Sequence, residues 1–79
     1  MKTITEELLF EYGFELSEVK DKSKLRKYSK NNFVVVMERD GSFYYTYLDI
    51  EYPLKDEDDL QKIYFEARRE KLSAVSLTM

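Results

Sequence analysis

Neither histidine nor cysteine occurs in the 79 residues, which narrows the available chemistry before any element is placed. Without histidine the chain lacks the usual acid or base near neutral pH and the commonest metal ligand. Without cysteine it has no thiolate and no disulfide. Carboxylates, hydroxyls, lysines and phenols remain. Ser17, Ser29 and Ser42 have no base to activate them, and neither a Gly-rich phosphate loop nor a nucleophile elbow occurs. The run Asp56-Glu57-Asp58-Asp59 lacks the sixth-position glycine and closing glutamate of a calcium loop. It reads instead as the acid-rich start of a helix. The expectation is no catalytic residue, no metal site and no cofactor.

Binding chemistry is better represented. Seven tyrosines and five phenylalanines sit in a short chain. Phe43, Tyr45 and Tyr47 recur at every second position, and Val34 and Val36 precede them at the same spacing. Tyrosine-rich surfaces supply large, stiff contact area and suit protein interfaces. A basic stretch from Lys20 to Lys30 holds Lys24, Arg26, Lys27 and Lys30, with Asp21 as its one acid. Lysines next to sheet aromatics could serve a single-stranded nucleic acid. The net charge of −3 weighs against nucleic acid, and lysines also protect edge strands.

The elements that must position these residues follow from local signals. Asn32 to Ile50 comprises two runs rich in β-branched and aromatic residues around Asp40-Gly41, a strong hairpin signal. A two-residue type I′ turn there predicts Met37 opposite Tyr44, Val35 opposite Thr46 and Phe33 opposite Leu48. Those residues and Ile50 then share the covered face. Val34, Val36, Phe43, Tyr45 and Tyr47 form the other face, left open or covered by another molecule. Both faces are apolar over much of their length, which is unusual for an antiparallel sheet.

Thr5 reads as the cap of a short helix ending at Gly13, with Ile4 and Leu9 as its staple and Phe14 folding back on Leu9. Leu8, Leu9 and Tyr12 are its predicted buried stripe. Residues 14–19 alternate as a weak strand, and residues 25–30 suggest another, ending in a turn at Asn31-Asn32. Pro53 ends the sheet or lies on its edge. Asp56 caps a second helix running roughly to Leu72, with Leu60, Ile63, Tyr64 and Ala67 facing the core. Ser73 to Met79 read equally as helix extension, edge strand or flexible tail.

These signals predict a single α+β domain over 1–79. Its order is a short N-terminal helix, a three- or four-stranded antiparallel meander and a C-terminal helix, with both helices on one sheet face. The Met1 end carries acids before any apolar run, so no secretory signal is predicted. No apolar stretch approaches the roughly 20 residues that span a bilayer. The expected location is cytoplasmic.

The opening Ile4-Thr5-Glu6-Glu7-Leu8-Leu9 running into Gly13-Phe14, followed by a meander and then Asp59-Leu60-Gln61-Lys62-Ile63-Tyr64-Phe65, resembles small, largely uncharacterised proteins of bacteriophages and bacterial mobile elements. Some phage inhibitors of host defence, certain anti-CRISPR proteins among them, are similar in size and element order. Those that mimic DNA are far more acidic than this chain. The resemblance implies a fold and an accessory or inhibitory setting, and it carries over no functional residue. The function expected is a non-catalytic module binding a protein partner, most simply a second copy of itself as a homodimer.

Overall fold

The structure, a computed structural model, describes residues 3–19 and 24–73. The predicted segment Ser73 to Met79 lies outside these residues except for Ser73, as do residues 20–23 of the basic stretch. The chain runs α1 (Glu6–Glu11), β1 (Glu15–Ser17), β2 (Lys24–Lys30), β3 (Phe33–Glu38), β4 (Phe43–Tyr47), β5 (Ile50–Leu54) and α2 (Glu57–Arg68). The α+β order is as the sequence predicts, but the meander has five antiparallel strands rather than three or four. Each strand pairs with its neighbour in sequence. The fifth strand escapes sequence reading because Tyr47-Leu48-Asp49-Ile50 carries no Gly or Asn to mark a turn.

Local chemistry explains both helices. The Thr5 hydroxyl accepts the Leu8 N–H at 3.1 Å, with Glu6 and Glu7 in the first turn. At the other end Phe14 N–H donates to the Leu9 carbonyl and Gly13 N–H to that of Phe10, each at 3.0 Å. Gly13, at φ 88°, makes this Schellman closure possible. Lys30 Nζ donates to the Tyr12 carbonyl at the same helix end, where a cation is favoured. Asp56 caps α2 by accepting the Asp59 N–H at 3.0 Å. This helix stops at Arg68, short of the predicted Leu72, because Arg69 turns left-handed at φ 59°.

The turn at Asn31-Asn32 falls where the sequence predicts it, whereas Asp40-Gly41 and Leu48-Asp49 differ from expectation. Asp40-Gly41 is not a two-residue I′ turn. Glu38 N–H pairs with the Ser42 carbonyl and Gly41 N–H with the Glu38 carbonyl, both at 2.9 Å. Arg39, Asp40 and Gly41 therefore form a three-residue loop in which Gly41 alone has positive φ, 91°. Asp40 accepts the Ser42 N–H, and this bond, with help from the Ser42 side chain, holds its carboxyl below the usual range. The I′ pattern of two positive φ values instead occurs at Asn31-Asn32 (51° and 66°) and at Leu48-Asp49 (51° and 65°). A Cβ at Gly41 would meet nothing within 4 Å, so substitution there tests backbone strain alone. Gly41→Val is expected to cost on the order of 1–3 kcal/mol in chemical denaturation; an unchanged midpoint would show the loop accommodates the strain.

The longer loop shifts the pairing by one residue. Met37 faces Phe43, Val36 faces Tyr44, Val35 faces Tyr45 and Val34 faces Thr46. Such a slip exchanges the faces of the whole partner strand. Phe43 and Tyr45, expected on the open face, thus join Phe33 and Val35 beneath the helices, each only 8% exposed. Tyr44, expected in the core, lies on the opposite face with Val36 and Pro53. Leu48 and Ile50, also expected in the core, are exposed. The core joins Leu8, Leu9, Tyr12 and Phe14 to Tyr28, Phe33, Val35, Phe43 and Tyr45 of the sheet and to Leu54, Leu60, Tyr64 and Leu72. Phe33 is its centre, with Tyr45 stacked at 4.2 Å, Tyr64 at 4.9 Å and Phe14 edge-on at 6.0 Å.

Polar contacts tie the helices to this frame. Glu6 accepts from the Tyr28 hydroxyl at 2.7 Å and from Arg26 Nη1 at 2.8 Å. The Tyr12 hydroxyl donates to Glu57 and accepts from Gln61 of α2. Thr3 forms a single antiparallel bridge with Asp56, which sets Thr3 beside the cap of α2.

Candidate functional site

The face away from the helices carries Lys27, Val34, Val36, Tyr44 and Thr46. Little of it is bare. Val36 is buried, and Val34, Tyr44 and Thr46 are half-buried. Lys24 pairs with both Glu38 and Glu51. Strands β2 and β5 are separated by two others, so a flat sheet would hold them about 14 Å apart. An ion pair from Lys24 to Glu51 therefore requires the sheet to curl, with this face on the inside of the curve. Val19, Lys24 and Lys27 line the resulting hollow with Val34, Val36 and Leu48.

This arrangement engages three of the four basic residues singled out from the sequence. Lys24 binds two carboxylates, Arg26 binds Glu6, and Lys30 binds the end of α1. By register, Arg26 and Lys30 point to the helix side while Lys27 points to the hollow. The four cations thus share no common track for a phosphate backbone. Asp56 and Asp59 are likewise used locally, one as helix cap and the other accepting the Lys55 N–H.

The more open surface lies around the turn joining β4 to β5, whose Leu48 also borders the hollow. Tyr47, Leu48, Ile50 and Tyr52 are 56%, 75%, 53% and 41% exposed. They make an apolar corner at the turn joining β4 to β5. Beside it a groove of about 530 Å³ runs between these strands and α2. Tyr45 is its floor, with Tyr47 at 6.3 Å and Tyr52 at 5.8 Å, their rings within 16° and 25° of parallel to it. Ile63 and Ala67 form the helical wall, with Glu66 and Arg68 on either side of them and Asn32 at one end. Burial pushes the Tyr45 phenol above its ordinary range; Tyr47 and Tyr52 push the same way, and Arg68 opposes them.

The edge of β5 is guarded. A two-residue turn makes Tyr47 and Ile50 the closing hydrogen-bonded pair. The register then puts bonded pairs at Tyr45–Tyr52 and Phe43–Leu54. Glu51 and Pro53 direct their backbone groups outward, and Pro53 has no N–H to offer. An added strand would find one strand donor, from Glu51, so side chains must dominate recognition here.

Of the five residues predicted to bind a partner, Tyr47 alone is exposed; Phe43, Tyr45 and Val36 are buried and Val34 is half-buried. Sequence reading missed Leu48, Ile50 and Tyr52. One signal could have corrected the faces: the alternate set in β4 contains Thr46, so Phe43 and Tyr45 form the more apolar side.

Among the described residues, no helix is long and apolar enough to cross a membrane. No family model, curated protein or solved structure matches the chain.

Proposed function

We propose that this chain is a non-catalytic protein-binding module that meets its partner at the corner formed by Tyr47, Leu48, Ile50 and Tyr52 and in the adjoining tyrosine groove. One observation carries the reading. The Asn31-Asn32 and Leu48-Asp49 turns have nearly the same φ values. Asparagine tolerates this region, whereas an ordinary residue loses about 1–2 kcal/mol there. At the second turn the chain places leucine in the strained position and leaves it 75% exposed. Folding gains little from that side chain, whereas a partner gains an apolar anchor held on a stiff turn.

The setting we propose is that of an accessory or inhibitor protein of a bacteriophage or mobile element, supported by the resemblance in element order. A photo-crosslinking residue at Tyr52 should yield discrete protein adducts in the native host, and the same residue at Glu15, on the far edge strand, should not. No adduct at either position, or equal labelling at both, would overturn the reading.

A further inference from the structure

The Tyr45 hydroxyl stands apart from those of the other buried tyrosines. Tyr12, Tyr28 and Tyr64 each donate to a carboxylate, that of Glu57, Glu6 and Glu70 respectively. Tyr45 is only 8% exposed, yet among the described residues its hydroxyl has no hydrogen-bond partner. No wholly buried polar side-chain atom among them is left unsatisfied, so this hydroxyl opens onto the groove that Tyr45 lines. We infer that the groove receives a proline-rich segment of a partner protein in the polyproline II conformation, with the Tyr45 hydroxyl donating to one of its carbonyls. This inference rests on the protein-binding reading above and names the kind of segment bound.

Hydrogen bonding, charge and shape all favour that ligand. Tyr47, Tyr52 and Asn32 bring further groove groups with no hydrogen-bond partner among the described residues, and each of them can donate. A polyproline helix has no internal hydrogen bonds, so its carbonyls are free to accept. Its prolines bring no N–H for the groove to satisfy. An added β-strand would need a ladder, and Pro53 removes an outward donor from β5. Glu66 and Arg68 both line the groove. Their charges oppose one another, so the lining suits a neutral segment better than an acidic or a basic one. The rings of Tyr47 and Tyr52 lie within 16° and 25° of parallel to that of Tyr45, beside the apolar wall of Ile63 and Ala67. Pyrrolidine rings pack into aromatic-lined grooves of this kind, and the segment is already extended when free, so binding costs it little order.

Fluorescein-labelled decaproline, titrated with the whole chain and followed by anisotropy, should bind about tenfold or more tightly than a labelled glycine-serine peptide of the same length. Tyr45→Phe keeps the ring stacked on Phe33 and removes the hydroxyl alone. It should weaken decaproline about three- to tenfold. Its thermal midpoint should hold or rise, because that hydroxyl has no partner among the described residues. Tyr12→Phe is the converse, since its hydroxyl is bonded to Glu57 and Gln61 away from the groove. It should lower the midpoint and leave decaproline binding unchanged. A purely structural role for Tyr45 would not separate the two readouts in this way. Tyr52→Ser removes one of the exposed rings and should weaken decaproline by about tenfold or more. Circular dichroism of each variant confirms that it is folded before titration.

Decaproline that binds no more tightly than the glycine-serine peptide would overturn the inference. So would decaproline binding indifferent to Tyr45→Phe or to Tyr52→Ser in folded variants. A chain that ignores decaproline but sediments as a dimer, with Tyr52→Ser restoring the monomer, would give the groove to a second copy instead. Discrete host adducts at Tyr52 from a chain that ignores decaproline would overturn the proline-rich segment and leave the protein-binding reading standing.

Discussion

Phe33→Ala should bring the protein to the edge of unfolding at room temperature. The Phe33 ring is fully buried and contacts rings from three separate parts of the chain: Phe14 after α1, Tyr45 of β4 and Tyr64 of α2. Truncation removes the transfer energy of the ring and leaves a cavity that three aromatic neighbours cannot easily close. Such changes cost about 3–5 kcal/mol. Native domains retain only about 5–15 kcal/mol, with small ones toward the lower end. A urea titration followed by far-ultraviolet circular dichroism should show the midpoint driven close to zero denaturant and the folded baseline shortened. A midpoint near that of the parent would mean that the core is not centred on Phe33. Phe65→Ala is the matched control, because Phe65 is half-exposed and its loss should move the midpoint little.

Alkali should unfold the protein cooperatively. Tyr12, Tyr28, Tyr45 and Tyr64 all have phenols raised above the ordinary range, each chiefly by burial. Hydrogen bonds to Glu57, Glu6 and Glu70 reinforce the effect at Tyr12, Tyr28 and Tyr64. A phenol in the unfolded chain ionises near about pH 10. Because the folded values lie higher, the stabilisation is complete below that pH. It is lost progressively as the pH climbs from there through the folded values. Each phenol that ionises only on unfolding removes about 1.4 kcal/mol per pH unit. All four act in the same direction, so their losses add as the pH rises. Lys24 adds to the trend, since its hydrogen bonds to Glu38 and Glu51 raise it too. Denaturation midpoints should stay flat from neutral pH to about 9 and then fall steeply, with phenolate absorbance rising in the same transition. Gradual phenol titration in a chain that stays folded would contradict this coupling. Tyr28→Phe should make the alkaline fall shallower, because it removes one of the titrating groups.

The two helix caps and the end of α1 were legible because their determinants are local, whereas the end of α2 at Arg68 was not. Thr5, Gly13 and Phe14 lie within ten residues of one another, and each acts through a backbone group the sequence itself positions. The sheet was less legible because its register depends on the length of a loop. Asp40-Gly41 supports either a two-residue or a three-residue turn, and the choice exchanges the partners of every residue in β4. The alternation within Phe43 to Tyr47 was readable, but which set faces inward was not fixed by the turn signal. Leu48-Asp49 was opaque for a different reason. A leucine at positive φ contradicts local preference, so propensity merges β4 and β5 into one run. The candidate site sits at that contradiction, where tertiary structure overrides the local rule.

The strand order has a consequence for how the molecule comes together. Every strand pairing within the five-stranded sheet joins sequence neighbours, so the meander can zip hairpin by hairpin, a topology that favours rapid assembly. The described side-chain hydrogen bonds of greatest span, from Tyr12 to Glu57 and Gln61, instead join the two helices and bring early and late parts of the chain together. During synthesis the sheet can therefore form while α1 has nothing to hold on its far side. The emergence of α2 supplies the clasp, and release of that clasp is the motion through which the core would first admit water.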